Sequence, residues 1–525
     1  MSNYNSNSRA ITVGITIFGG IIAALLLGRA VGTQNYLHII VVCGFVFGAL
    51  FFFTLGDRYW YLIPFSLASG LPAIPLGGRT VELGELSIAA CTAFFLTRVA
   101  FKKDHFAIFR ATHVPILLFM GWVAIVYMLN PSGLLFFGAQ TGGARFYLKL
   151  ILAFCAFLIL ASRDITEKDA KWIIRILIAG VSINMAYGLA SFFLLGGAPE
   201  AASPGAIETE DFYSWQQILA VPAVTLAFLI FSRFKPSDVI GLQKPWTLLA
   251  YIVVFVIALA SGKRMGVAAA LLAPFVSAIV YRQRTYIWVG AIVFLVFAST
   301  IILGQGQIFT LPLTMQRSLS WLPGEWDSEL SGMQGGSDEF REALRRFAVS
   351  NIKRDPIIGR GYSVDIAETG SAMNAAMQGG TIDIQSAAFA LGRAWHNTWL
   401  GYAADFGIPL SVLQAVLFLT VLVVAFRAAS ALPYPSSLKT LTVFILISIC
   451  RDIMASQTSG HSATDAFTRW WMYGMLFSIF ATLHKKPVGN PPMPAQRGFG
   501  PDGMELSPAS HPHSEPNPLR NPFRK

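Results

Sequence analysis

Apolar runs of about twenty residues recur along most of the chain, separated by short polar stretches. A helix needs ~20 such residues to cross a bilayer core. Fourteen candidates can be drawn: 10–28, 37–55, 59–76, 82–101, 112–130, 145–162, 172–195, 215–232, 246–261, 265–281, 286–304, 396–426, 438–456 and 467–484. The third is interrupted by Pro64, Pro72 and Pro75, and Glu82 and Glu85 open the fourth. The pattern predicts an all-α polytopic integral membrane protein with about twelve to fourteen transmembrane helices. The first run has no convincing small-residue cleavage site after it and reads as a retained helix. One long hydrophilic stretch, 305–395, falls between late helices. The expected organisation is therefore a bundle over 1–304, a large loop over 305–395, further helices over 396–484, and a tail over 485–525. The tail is rich in Pro with Gly, Ser and Asn, lacks apolar periodicity, and is expected to be disordered.

Composition agrees with this picture: 54% of residues are hydrophobic and 13% charged, against about 25% charged in soluble domains. The net charge of +11 is explained by sidedness rather than by nucleic-acid binding. Alternating the spans from a cytoplasmic N-terminus puts Arg98, Lys102, Lys103, Arg110, Arg163, Lys168, Lys171, Arg233, Lys235, Lys244, Arg282, Arg284 and Arg427 inside. The outside loops 131–143 and 196–214 hold no Lys or Arg, and the second carries Glu200, Glu208, Glu210 and Asp211. That is the positive-inside pattern. It predicts that loop 305–395 is outside and the tail inside. Cys43, Cys91, Cys155 and Cys450 all lie in apolar runs and read as core residues, with no disulfide framework.

A few charges break the alternation. Ser261-Gly262-Lys263-Arg264 is a very short turn on the predicted outer side. Its two cations could snorkel to headgroups or form an anion site. Arg145 opens the sixth span at the same face, as an interfacial anchor or as a functional cation. Arg451 and Asp452 sit at the end of the thirteenth span, where an internal ion pair is the simpler account and a ligand role stays open. His461 reads as solvated.

Within the loop, Arg317, Trp321, Pro323 and Trp326 precede a stretch of helical pattern, 338–352. Phe340, Leu344, Phe347 and Ile352 form its apolar stripe, with Arg341, Arg345 and Arg346 on or beside it. Asp355-Pro356 stops that helix, and Gly359-Arg360-Gly361-Tyr362 predicts a tight turn. The loop ends at Trp395-His396-Asn397, where the next apolar helix begins. His396, Leu400, Ala403 and Gly407 follow at i, i+4, i+7 and i+11, so a continuous helix would carry them on one narrow, small-residue face. Such a face suits another helix or a lipid chain. A lone imidazole at a helix start is most often structural, and the large outer loop beside this one puts a functional reading on an equal footing.

These residues resemble the superfamily of O-antigen ligases and Wzy-type polysaccharide polymerases. His396-Asn397 with Gly407 fits its signature of His, then Asn, Ser or Gln, then nine residues and Gly; Leu410 stands where Gly, Thr or Tyr is often found. Ser261-Gly262-Lys263-Arg264-Met265-Gly266 is similar to its arginine segment, with Lys263 in place of the common Ser. The run from Arg317 through Arg341 to Pro356-Ile357-Ile358-Gly359-Arg360-Gly361 resembles its outer loop. The resemblance covers roughly 140–480.

It implies a GT-C-like glycosyltransferase in a bacterial inner membrane, with the large loop in the periplasm. The donor would be a glycan on undecaprenyl diphosphate. The acceptor would be a sugar hydroxyl, on lipid A–core for a ligase or on another lipid-linked repeat unit for a polymerase. The lipid bilayer and other polysaccharide assembly proteins are further partners; no nucleic acid is expected. Breaking a glycosyl–diphosphate bond needs fixed cations and a base near neutral pH. Arg264 and Arg341, then Arg145, are the expected cations, and His396 the expected base. Asn397, Lys263, Gly359, Gly361 and Arg317 complete the expected substrate-binding set. Direct attack by the acceptor would invert the anomeric centre. No His, Cys or Asp metal spacing is convincing, Asp327-Ser328-Glu329 being only a weak match to a carboxylate pair, so the reaction is expected to be metal-independent and free of cofactors. Extra spans and divergent motifs lean towards the polymerase by analogy. A transporter or flippase of lipid-linked glycan or small anions is the competing class; it predicts inverted repeats and interrupted helices, and no internal repeat is evident.

Overall fold

The computed structural model describes residues 54–70, 74–76, 79–106, 110–131, 143–194, 219–241, 243–362, 395, 397–458 and 462–484. The first predicted span, nearly all of the second and the C-terminal tail lie outside them. A 3-10 turn, Gly56–Tyr61, leads into α1 (Leu62–Ser69). A two-stranded antiparallel hairpin follows, β1 (Ile74–Leu76) and β2 (Arg79–Val81), pairing Ile74 with Val81. The other described elements are helical: α2 (Leu83–Ala100), α3 (Val114–Leu129), α4 (Ala144–Ala161), α5 (Glu167–Leu194), α6 (Ala220–Arg233), α7 (Pro236–Ile240), α8 (Pro245–Ala260), α9 (Arg264–Val280), α10 (Arg284–Gly304), α11 (Leu313–Leu319), α12 (Ser328–Arg354), α13 (Thr398–Ala431), α14 (Ser437–Ala455) and α15 (Ser462–Leu483).

Six described helices are long and apolar enough to cross a membrane, and α6, α8 and α9 are shorter apolar helices. The protein is a polytopic, essentially all-α membrane protein. Its surface supports this. On α10, Trp288, Ile292, Val293, Val296 and Leu303 are all at least 60% exposed, an apolar face far too continuous for water.

One expected span changes. The third span is not a full crossing helix: Gly70, at φ +51°, ends α1 after eight residues and the chain turns into the hairpin. Pro64 is tolerated because it lies in the first turn, where its missing N–H costs nothing. The two glutamates at the fourth span do not weaken it. Glu85 accepts from the Glu82 backbone N–H at 3.0 Å and so caps α2. Lys149 then neutralises Glu82 at 2.7 Å, and Arg145 lies 3.4 Å from Glu85.

The core forms where α3, α4, α13 and α15 meet. Phe119 of α3 stands edge-on to Tyr402 of α13 at 5.3 Å and to Trp470 of α15 at 5.2 Å. His113 packs edge-on to Phe157 and Phe477. Such edge contacts let large rings fill a bundle without voids. Cys91 is buried, Cys155 and Cys450 are partly buried, and all three are free thiols.

At one end of the bundle, Asp104 ties three segments together. It accepts from Arg98 Nε at 2.8 Å and from Arg163 Nη1 at 3.0 Å, and Arg98 also reaches Asp57. Burial raises the Asp104 carboxyl, but the two guanidiniums outweigh it and hold its pKa below the usual range. A carboxyl so lowered adds stability above its unfolded pKa, and loses it as pH falls through the folded value. Asp104→Asn, which leaves Arg163 buried without its carboxylate, is expected to cost about 3 kcal/mol, read as a lower melting midpoint at neutral pH. The difference between the two proteins should vanish in acid.

Candidate functional site

The turn between α8 and α9 is built by Gly262, whose φ of +72° lies in the left-handed region. Helix α11 lies over it. Ser318 Oγ donates to the Leu259 carbonyl at 2.8 Å, and Arg264 Nε donates to the Arg317 carbonyl at 3.4 Å. Gln316 braces the lid-like segment from within, donating to Leu311 O at 2.8 Å and accepting from Asp327 N–H at 3.1 Å. Arg317, far from Lys263 and Arg264 in sequence, thus meets them at the N-terminus of α9. Lys263 is the N-cap residue and Arg264 the first helical residue. Although much of Lys263 is exposed, its ammonium is crowded. That partial burial, and then the Arg317 charge, push its pKa below the ordinary lysine value. Cations at the positive end of a helix oppose the dipole. The same arrangement is favourable once an anion is bound there.

The second part of the site is a break in α13. Gly407 has φ +79° and ψ +165°, outside any helical region, so the predicted continuous face from His396 to Gly407 does not exist. The break frees backbone groups, and the segment 356–361 takes them up. Ile408 N–H donates to Pro356 O at 2.8 Å, Gly361 N–H to Asp405 O at 2.6 Å, and Arg360 N–H to Ala404 O at 3.4 Å. Trp122 Nε1 takes Phe406 O at 2.8 Å. The two backbones approach so closely that a Cβ on Gly407 would sit 1.8 Å from Ile357 O, and one on Gly359 2.5 Å from Gly407 N. Gly359 and Gly361 therefore serve this docking. Tyr362, fully buried, completes it by packing on Tyr147 at 5.0 Å and Phe406 at 4.9 Å.

His396 lies outside the described residues, but both of its neighbours are placed. Trp395 is buried, stacks on Phe347 of α12 at 5.9 Å and donates through Nε1 to Asp405 at 3.3 Å. Leu344 and Ala348 join the same small core, which realises most of the predicted stripe; the Phe340 side chain lies outside the described residues. Asn397 caps α13, its Oδ1 accepting from Leu400 N–H at 3.0 Å, and its Nδ2 reaches Gln457 O at 3.4 Å. Thr398 N–H donates to Ser456 O at 2.9 Å.

Arg145 faces Glu85, so a diphosphate there would compete with a carboxylate. Arg341 is exposed on α12. Arg451 does pair with Asp452 at 3.2 Å, but Arg469, not among the expected site residues, pairs with it at the same distance and is far more buried. A cation and two carboxylates at Asp452, Asp465 and Arg469 were the available signal. Asp465 and Arg469 stand at i, i+4 on one helix, whereas Asp452 reaches Arg469 only across two packed helices; His461, in the loop between them, lies outside the described residues.

The cationic turn, the docked segment and the broken helix all fall in one stretch of chain. Residues 249–415 match the O-antigen ligase family model. Among curated proteins none matches this chain. The matched stretch runs from α8 into α13. It contains Lys263, Arg264, Arg317, Arg341, Gly359, Gly361, His396, Asn397 and Gly407, but neither Arg145 nor the Asp452–Arg469 pair. The match supports glycan transfer of ligase or polymerase type by a multi-pass membrane protein.

Proposed function

We propose that this protein transfers a glycan from undecaprenyl diphosphate to a sugar hydroxyl at the periplasmic face of a bacterial inner membrane, in a GT-C-like bundle. The observation that carries it is the gathering of Lys263, Arg264 and Arg317 at the N-terminus of α9. A low-dielectric site with preorganised cations stabilises the charge that grows on a departing diphosphate. The acceptor oxygen attacks the anomeric carbon and inverts it. The C–O bond to the diphosphate breaks, its electron pair stays with the diphosphate, and the acceptor proton passes to His396. Arg341 and Arg145 remain secondary cations in this scheme, and Asn397 orients the junction by its cap. Arginine takes the place of a metal ion.

The competing transporter reading gains one point, the interrupted helix at Gly407. Yet the freed backbone there is filled by 356–361 and Trp122, whereas a transporter turns such backbone towards a substrate cavity.

Purified protein in nanodiscs, given undecaprenyl-diphosphate-linked oligosaccharide and an acceptor glycan, is expected to form a new glycosidic bond, unaffected by EDTA. Movement of the donor across vesicles without bond formation would support the carrier instead. Loss of activity with EDTA would sink the arginine account. In the native host, deletion separates the two acceptors. Loss of long glycan from lipopolysaccharide with free polymer still made indicates a ligase; loss of all polymer indicates a polymerase.

A further inference from the structure

Behind the Trp395–Asn397 junction runs a chain of buried charge that the reaction above does not use, and that lies outside the matched family stretch. Asp452, near the end of α14, has no exposure. Arg469 of α15, 8% exposed, places Nε 3.2 Å from one Asp452 oxygen and Nη2 3.2 Å from Asp465. The other Asp465 oxygen accepts from Thr398 Oγ1 at 3.1 Å. Thr398 N–H donates to Ser456 O, and Ser456 N–H to Asp452 O, both at 2.9 Å. The chain is therefore a closed ring: side chains run from Asp452 to Thr398, and main chain runs back. Arg451 meets the remaining Asp452 oxygen from a more exposed position, and neither oxygen accepts a well-directed hydrogen bond.

As a plain staple this ring is poor chemistry. Buried ion pairs return little beyond their desolvation, and apolar packing holds helices as well. Helices α14 and α15 already bury Ile445, Ile447, Phe467 and Trp470. What charge adds is direction, because the planar guanidinium fixes its angle to two carboxylates at once. The direction ends on Thr398, two residues from His396. A reacting side chain has to be held within about 0.5 Å by its supports.

We propose that Asp452, Arg469 and Asp465 are positioning residues, acting through Thr398 to hold the helix start that carries His396 in register for proton abstraction. This rests on the function proposed above. The tests are Thr398→Val, which keeps shape and loses the hydroxyl, and Thr398→Ser, which keeps the hydroxyl. Thr398→Val is expected to lower kcat about tenfold with the donor KM and the melting midpoint unchanged, while Thr398→Ser stays within about twofold of the parent. Asp465→Asn should behave like Thr398→Val, and Arg469→Lys should not rescue, since a point charge cannot fork between two carboxylates. Amide exchange in the 397–401 backbone should quicken about fivefold in Thr398→Val, a readout that needs no activity. Parental kcat in both Thr398→Val and Asp465→Asn would overturn the proposal, as would unchanged exchange, or Ser and Val variants equally impaired. His396→Ala is run beside them. If it still transfers glycan, the base assignment fails; if it is dead while Thr398→Val is fully active, only the positioning role fails.

Discussion

His396→Ala is expected to abolish glycan transfer while the protein still inserts and folds. A positioned general base contributes about 10²- to 10⁴-fold. An alanine there leaves the acceptor hydroxyl with only water to take its proton. The fold should tolerate the change because the neighbouring residues hold the junction by their own bonds. Trp395 is tied to Asp405 and stacked on Phe347, Asn397 caps α13, and Thr398 bonds to Ser456 and Asp465. The measurement is product formation by purified variant and parent, matched for folded protein by size-exclusion profile and melting curve. Full transfer by the alanine variant would remove His396 from the chemistry. Loss of folded protein would instead give the residue a structural part.

Gly407→Ala should have the largest structural effect of any single methyl group in the described site. Two independent costs add. Its φ of +79° with ψ of +165° lies in a region open essentially to glycine alone. The added Cβ would also fall 1.8 Å from Ile357 O, a backbone atom that cannot rotate away. Together they should cost about 3 kcal/mol or more. Segment 356–361 would have to leave α13, and the carbonyls of Ala404 and Asp405 would lose their donors. The expected result is a lower melting midpoint, faster proteolysis within the loop, and little activity. An alanine variant with parental melting and activity would show that loop and broken helix are not joined as described.

Much of this was legible in the sequence. Hydropathy placed most helices within a few residues. The apolar stripe Leu344–Phe347 foretold how α12 packs, because helical spacing alone sets which side chains share a face. The cations at 263 and 264 announced themselves by breaking charge alternation. The error at the third span came from counting apolar residues through Gly70, where a left-handed residue ends the helix. The error at Gly407 came from extending a helical period across a glycine followed by Ile408 and Pro409. The period shows where side chains would lie if the helix ran on; it does not reveal that another backbone occupies the place.

The sequence by itself therefore determined the medium, the class and the family resemblance. Hydropathy, charge sidedness and motif spacing are properties of neighbouring residues, and local physics acts on them wherever the chain goes. Tertiary structure alone decided which cations meet. Arg317 reaches Lys263 and Arg264 because α11 folds over their turn, Arg145 is drawn aside by Glu85, and Arg469 binds Asp452 across two helices. Coulomb energies and hydrogen bonds depend on distance in space, over a few ångströms. Separation along the chain carries no such information for residues brought together only when the helices pack.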